Sequence, residues 1–189
     1  MNAESHPRHR ALIILADGFE EIEAVTPIDI LRRADVEVIV AGLDKSSVTG
    51  ARGLTIQADM LLADFADRAD AVILPGGMPG ATNLAASAAV KSILIKTAAE
   101  DGLIAAICAA PAVVLASMGL LKGRQATCYP GMEEYLPADT RYTGQSVTVD
   151  GRIITAAGVD AALKFSLVLA EMLAGKEIAG RVAADILAE

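Results

Sequence analysis

The sequence predicts an α/β fold: a mostly parallel β-sheet with helices on both faces. Short apolar runs alternate with longer segments whose apolar residues recur at helical spacing, the order that strand-helix-strand units require. Of 189 residues 53% are hydrophobic and only 3% aromatic, so the core must be assembled from Ala, Val, Ile and Leu, which suits close packing of helices on a sheet. A chain of this length buries roughly 70% of the surface its unfolded form exposes. One domain over residues 11–189, preceded by a flexible polar tail over 1–10, therefore needs neither a disulfide nor a metal for stability.

The elements follow in order. Arg10–Ala16 is an apolar run closed by Asp17-Gly18, a buried strand and turn. From Glu20 to Ala34 apolar residues at Ile22, Val25, Ile28, Ile30 and Leu31 suggest a helix, with Arg32 and Arg33 in the last turn where cations suit the dipole. Val36–Ala41 is β-branched and reads as a strand. Around Thr49–Asp59, Gly50 and Gly53 suggest a turn, and alternating Leu54, Ile56 and Ala58 an edge strand. Ala71–Leu74 is a further strand, closed by Pro75-Gly76-Gly77 and followed by a helical stretch over Ala88–Glu100. Leu103–Ile107 is the strand that delivers Cys108, with a helix expected over Ala109–Met118. Val147–Ile154 carries Asp150-Gly151 at a hairpin turn and is expected to cover one sheet edge. Helices over Ala161–Ala174 and Glu177–Leu187, separated by Gly175, finish the chain.

Net charge and cysteine usage narrow the function. A formal charge of −8 argues against a nucleic-acid surface, whose footprint is a clustered positive patch, and favours a small or neutral substrate. Cys108 and Cys128 belong to no metal or redox-pair spacing and read as free thiols in a reducing cytoplasm. The polar opening, which holds His6 and His9, has no apolar stretch of the signal-peptide kind. Leu103–Leu121 lacks charged residues and is long enough to mimic a membrane span, but Pro111 falls near its middle. It reads as a buried strand followed by a buried helix.

In parallel sheets ligands bind beyond the carboxyl ends of the strands. The loops there carry Glu20–Glu23, Gly76-Gly77 and Cys108, so one crevice can gather all three. Cys108 follows five strand residues directly and precedes Ala109-Ala110-Pro111, whose proline suits a first helical turn. The thiol thus sits on an elbow, as the nucleophile of an α/β-hydrolase does. Unpaired N–H groups at a helix start favour negative charge, so the expectation is a thiolate. The same groups, with Gly76-Gly77 as a second donor, can hold an oxyanion. On the plain reading, a cysteine in an Ala-rich run is a small buried hydrophobe.

Three runs shift that balance: ADGFEEIEAVTPIDILRRA (Ala16–Ala34), VILPGG (Val72–Gly77) and AAICAAPAVVLA (Ala105–Ala116). They resemble the defining segments of the DJ/ThiJ/PfpI superfamily, in the branch that contains the parkinsonism-associated deglycase and bacterial YajL. The likeness extends through KSILIKTAAEDGLIAAICAAP and LAGKEIAGRVA, covering nearly the whole chain after Arg10. It implies a flavodoxin-like three-layer sandwich, a homodimer, a cytoplasmic setting and no metal or organic cofactor.

By that resemblance Cys108 is the nucleophile or oxidisable cysteine, and Glu23 is the acid that contacts its sulfur. Gly77 and Ala109 supply the oxyanion-hole N–H groups, with Gly76, Tyr129 and Pro130 in the pocket. An ionised Glu23 would repel a thiolate, so it must be protonated there, and burial favours that. Glu20 and Glu21 are read as acids that complement the dipole. Arg52 aligns with an arginine near the dimer boundary of relatives.

Two departures matter. Tyr129 stands where many relatives carry a histidine, so a cysteine-histidine protease is disfavoured; YajL-like relatives also lack it. Ala156-Ala157-Gly158-Val159 replaces a polar or basic residue followed by Gly-Pro, which alters substrate contacts. Cys128 has no comparable elbow. The resulting expectation is a cofactor-independent glyoxalase or deglycase acting on small carbonyl substrates. The alternative is a redox-sensing stress protein or chaperone whose partner is an oxidant and whose Cys108 becomes a sulfinate.

Overall fold

A computed structural model describes residues 9–188; most of the expected polar tail, residues 1–8, lies outside them. The main sheet has seven strands. They are β1 (Arg10–Leu15), β2 (Glu37–Gly42), β5 (Met60–Leu61), β6 (Ala71–Leu74), β7 (Leu103–Ile107), β10 (Val147–Asp150) and β11 (Ile153–Ala156). Their order is β10-β11-β7-β6-β1-β2-β5, with every pairing parallel except β10 with β11.

Alternation along β1 divides the core. Ala11, Ile13 and Leu15 face one way and pack with α1 (Glu21–Arg33), α4 (Ala162–Ala174) and α5 (Lys176–Asp185). Leu12 and Ile14 face the other and pack with α2 (Gly80–Ala86), α3 (Ala88–Ala99) and a short helical segment over Pro111–Leu115. Strands buried on both faces read as continuous apolar runs, which is why β1, β6 and β7 stand out in the sequence. The flavodoxin-like sandwich is therefore present.

The hairpin β10–β11 covers one sheet edge as expected. Other elements differ from expectation. The strand around Leu54–Ala58 is not a sheet edge: β4 (Thr55–Gln57) pairs only with β3 (Ser47–Thr49) in a separate hairpin. The edge is the two-residue β5, because Asp59 turns the chain back and its carboxylate takes the N–H of Val40 at 2.8 Å. A further small pair, β8 (Gln125–Ala126) and β9 (Arg141–Tyr142), is separate from both sheets.

Two helix readings are also corrected. Ile22 and Val25, expected on the buried stripe of α1, are 51% and 42% exposed; the buried face runs through Glu23, Ala24, Pro27, Ile30 and Leu31. The helix after Cys108 is π-wound rather than a regular α-helix over Ala109–Met118. Ala116 donates to Pro111 and Leu120 to Leu115, both five residues back. Among the described residues no helix is long and apolar enough to cross a membrane.

Candidate active site

Strands β7, β6 and β1 are neighbours at the centre of the sheet, so the loops at their carboxyl ends converge. The crevice expected from the sequence forms there. Glu20 N–H donates to the Gly76 carbonyl at 3.0 Å, joining the loop after β1 to the loop after β6. Cys108 N–H donates to the Ala156 carbonyl at 2.9 Å, fixing the elbow to β11.

Cys108 has φ 63°, left-handed for a residue with a Cβ and a conformation costing roughly 1–2 kcal/mol. Such a residue persists only where its surroundings over-determine it. The turn lifts the half-buried sulfur off the strand, within hydrogen-bonding reach of the N–H groups of Ala109 and Gly77 and of the Glu23 side chain. Gly77, at φ 85°, supplies its N–H from a turn that favours glycine.

Glu23 is fully buried. Its Oε2 accepts the Gly76 N–H at 2.8 Å, Oε1 is buried with no donor of its own, and the carboxyl interacts with the Cys108 thiol. Helix α1 holds it in place because Glu20, the N-cap, accepts the Glu23 N–H at 2.9 Å. A methyl group on Gly76 would sit 2.7 Å from both Cys108 Cβ and Glu23 Oε2, so only glycine lets the carboxyl and the thiol meet. Gly76→Ala is expected to destabilise the fold by about 1–3 kcal/mol through overpacking and to slow Cys108 alkylation. Thermal unfolding and iodoacetamide labelling check both.

Electrostatics correct the expectation of a simply acidified thiol. The amides of Ala109 and Gly77 do lower the Cys108 pKa, but burial first, and then the Glu23 charge, push it up to about 12. Burial also pushes the Glu23 carboxyl up, to about 7, with the Gly76 N–H opposing. The two groups form one unit that holds a single proton between the two ionisations, near 7 and near 12.

The acids of the first helical turn do more than complement the dipole. Glu21 is buried, and its Oε1 accepts the N–H groups of Arg52 at 2.6 Å and Leu54 at 3.3 Å. It pins the β3–β4 hairpin over the start of α1. Gly50 leaves room for it, since a Cβ there would lie 2.5 Å from the carboxyl. The missed signal was this hairpin turn, whose exposed N–H groups need an acceptor.

Tyr129 is half exposed, and its N–H donates to the Cys108 carbonyl at 2.8 Å. With Pro130, Ser146, Gly158 and Asp160 it lines a cleft of about 630 Å³ beside the elbow. His9 lies at the opposite end of β1, with Nδ1 3.6 Å from Asp70, and cannot reach the sulfur. Among the described residues no three His, Cys, Asp or Glu side chains converge where a metal ion could sit.

Known proteins resemble this chain over nearly its whole length. The chain is 42% identical over 183 residues to the Parkinson disease protein 7 homolog of Danio rerio, covering 94% of this chain and 96% of that protein. It is 34% identical over 169 residues to the glutathione-independent glyoxalase DJR-1.2 of Caenorhabditis elegans, covering 88% and 90%. The crystal structure of Drosophila melanogaster DJ-1beta superposes with a TM-score of 0.93 at 41% identity, covering 97% of this chain and all of that one. Residues 9–172 match the DJ-1/PfpI family, and the chain belongs to that family.

Proposed function

We propose that this protein is a cofactor-independent glyoxalase or deglycase that converts small reactive carbonyl compounds through Cys108, assisted by Glu23. One observation carries the reading: a strained elbow points Cys108 at a buried carboxyl and two backbone N–H groups. A relative named as a glutathione-independent glyoxalase supports the substrate class.

With one proton between the two groups, donor placement decides where it resides. If the proton is on Glu23, the sulfur is an anion with three donors: the N–H groups of Gly77 and Ala109 and the Glu23 O–H. If it is on sulfur, both amides face a neutral thiol and their hydrogen bonds weaken. The first arrangement satisfies every polar atom, so the pair is read as thiolate and carboxylic acid. The thiolate then adds to the aldehyde carbon, Glu23 passes its proton to the substrate, and the amides of Gly77 and Ala109 stabilise the developing oxyanion. Tyr129 takes no proton in this scheme, being a poor base near neutral pH.

The test is incubation with methylglyoxal in the absence of glutathione, with lactate followed by proton NMR. Lactate formed in proportion to protein is the expected result, and no lactate overturns the reading. The same three donors suit a Cys108 sulfinate, the chemistry of a redox-sensing stress protein. We also propose that a second copy of the chain covers the exposed apolar surface of Ile22, Val25 and Leu54 beside the Glu21-pinned hairpin, giving the homodimer that the resemblance implies.

A further inference from the structure

Cys128 has no part in the chemistry above, yet the fold places it beside Cys108. The Tyr129 N–H donates to the Cys108 carbonyl at 2.8 Å. A peptide hydrogen bond of that length sets the Cα atoms of Cys108 and Cys128 about 5–6 Å apart. That lies inside the span of about 4.4–6.8 Å that a disulfide bridges. Both segments are anchored on β11: Cys108 N–H bonds the Ala156 carbonyl at 2.9 Å and Thr127 N–H bonds Thr155 Oγ1 at 2.9 Å. Both cysteines are free thiols, and the chain has no others.

We propose that Cys128 is a resolving thiol for Cys108, closing an intramolecular disulfide after Cys108 is oxidised by a hydroperoxide. The inference rests on the reading of Cys108 as the reactive sulfur and adds a second residue to it. In the first step the Cys108 thiolate attacks a peroxide oxygen, the O–O bond breaks, and hydroxide or alkoxide leaves. The sulfur becomes a sulfenic acid, oxidised by two electrons as the peroxide is reduced. In the second step the Cys128 sulfur attacks the Cys108 sulfur, an S–S bond forms and the S–O bond breaks. The Cys128 proton leaves with the hydroxyl as water, without further oxidation.

Burial and Glu133 push the Cys128 thiol up to about 11, so it attacks slowly as a thiol. Resolution therefore competes with further oxidation, and excess peroxide favours the sulfinate. Stoichiometric peroxide favours the disulfide.

The experiment treats the full-length protein and Cys128→Ser with one equivalent of hydrogen peroxide, then measures intact mass and tryptic peptides without reductant. The proposal expects the wild type to lose the mass of two hydrogens, with peptides 97–122 and 125–141 joined within one chain and separated by reductant. In Cys128→Ser the expected product is Cys108 carrying one or two oxygens. A wild type that gains oxygen at Cys108 while Cys128 stays reduced overturns the proposal and leaves the Cys108 reading intact. So does a disulfide that joins two chains. A wild type in which Cys108 is not oxidised at all, while methionines are, overturns both.

Discussion

Cys108→Ser is expected to abolish lactate formation from methylglyoxal, lowering turnover by about a thousandfold or more, as loss of a nucleophile does. Serine is nearly isosteric and fits the same φ 63° elbow, so the fold and the Glu23 contact persist. A hydroxyl, however, does not ionise near neutral pH, so it keeps its own proton whatever the state of Glu23 and no anionic nucleophile forms. Thermal unfolding of the variant close to that of the wild type separates lost chemistry from lost structure. An unchanged rate would show that the carbonyl chemistry occurs elsewhere.

The second large effect is on stability, and its sign follows from Glu23. Its folded pKa is raised to about 7 from the model-peptide value of 4.5, with burial the main cause. The folded state therefore holds this proton more tightly than the unfolded chain. The contribution to stability is fully present below about pH 4.5, where both states are protonated. It is lost as pH rises through about 7, because the folded protein must then bury a charge. The loss amounts to at most about 3 kcal/mol. Glu23→Gln keeps an acceptor for the Gly76 N–H and a donor for the sulfur but cannot ionise. The difference in unfolding free energy between wild type and Glu23→Gln is expected to shift against the wild type by that amount between pH 4.5 and 8. Parallel stability curves for the two proteins would contradict a carboxyl that burial keeps protonated in the folded state.

The central strands were legible because β1, β6 and β7 are buried on both faces and leave continuous apolar runs. The β10–β11 hairpin announced itself through Asp150-Gly151. What escaped were elements too short to show a period. Strands β5, β8 and β9 have two residues each, and α2 has seven, cut from α3 by Ser87, whose hydroxyl caps Val90 N–H at 3.3 Å. In α1 the apolar pattern misled because Ile22 and Val25 lie on the exposed face.

The position of Glu23 carried a signal: it shares its helix face with Pro27, Ile30 and Leu31, at the spacing of a buried stripe. An acid on that stripe must find a partner or stay protonated. Glu21 gave no such warning, since its partners are backbone N–H groups 31 and 33 residues away in sequence. The balance of burial against amide donors at Cys108 was likewise out of reach, because it depends on how deeply three loops enclose one sulfur.

The most direct measurement is the rate of Cys108 alkylation by iodoacetamide as a function of pH, with the labelled peptide identified by mass. A proton resting on Glu23 and a charge resting on sulfur predict a rate that rises with a midpoint near 7, the first ionisation of the pair, and stays flat at higher pH. A rate that keeps climbing toward the alkaline value of about 12 would place the proton on sulfur and the charge on the carboxylate, and would contradict the thiolate on which the proposed chemistry depends.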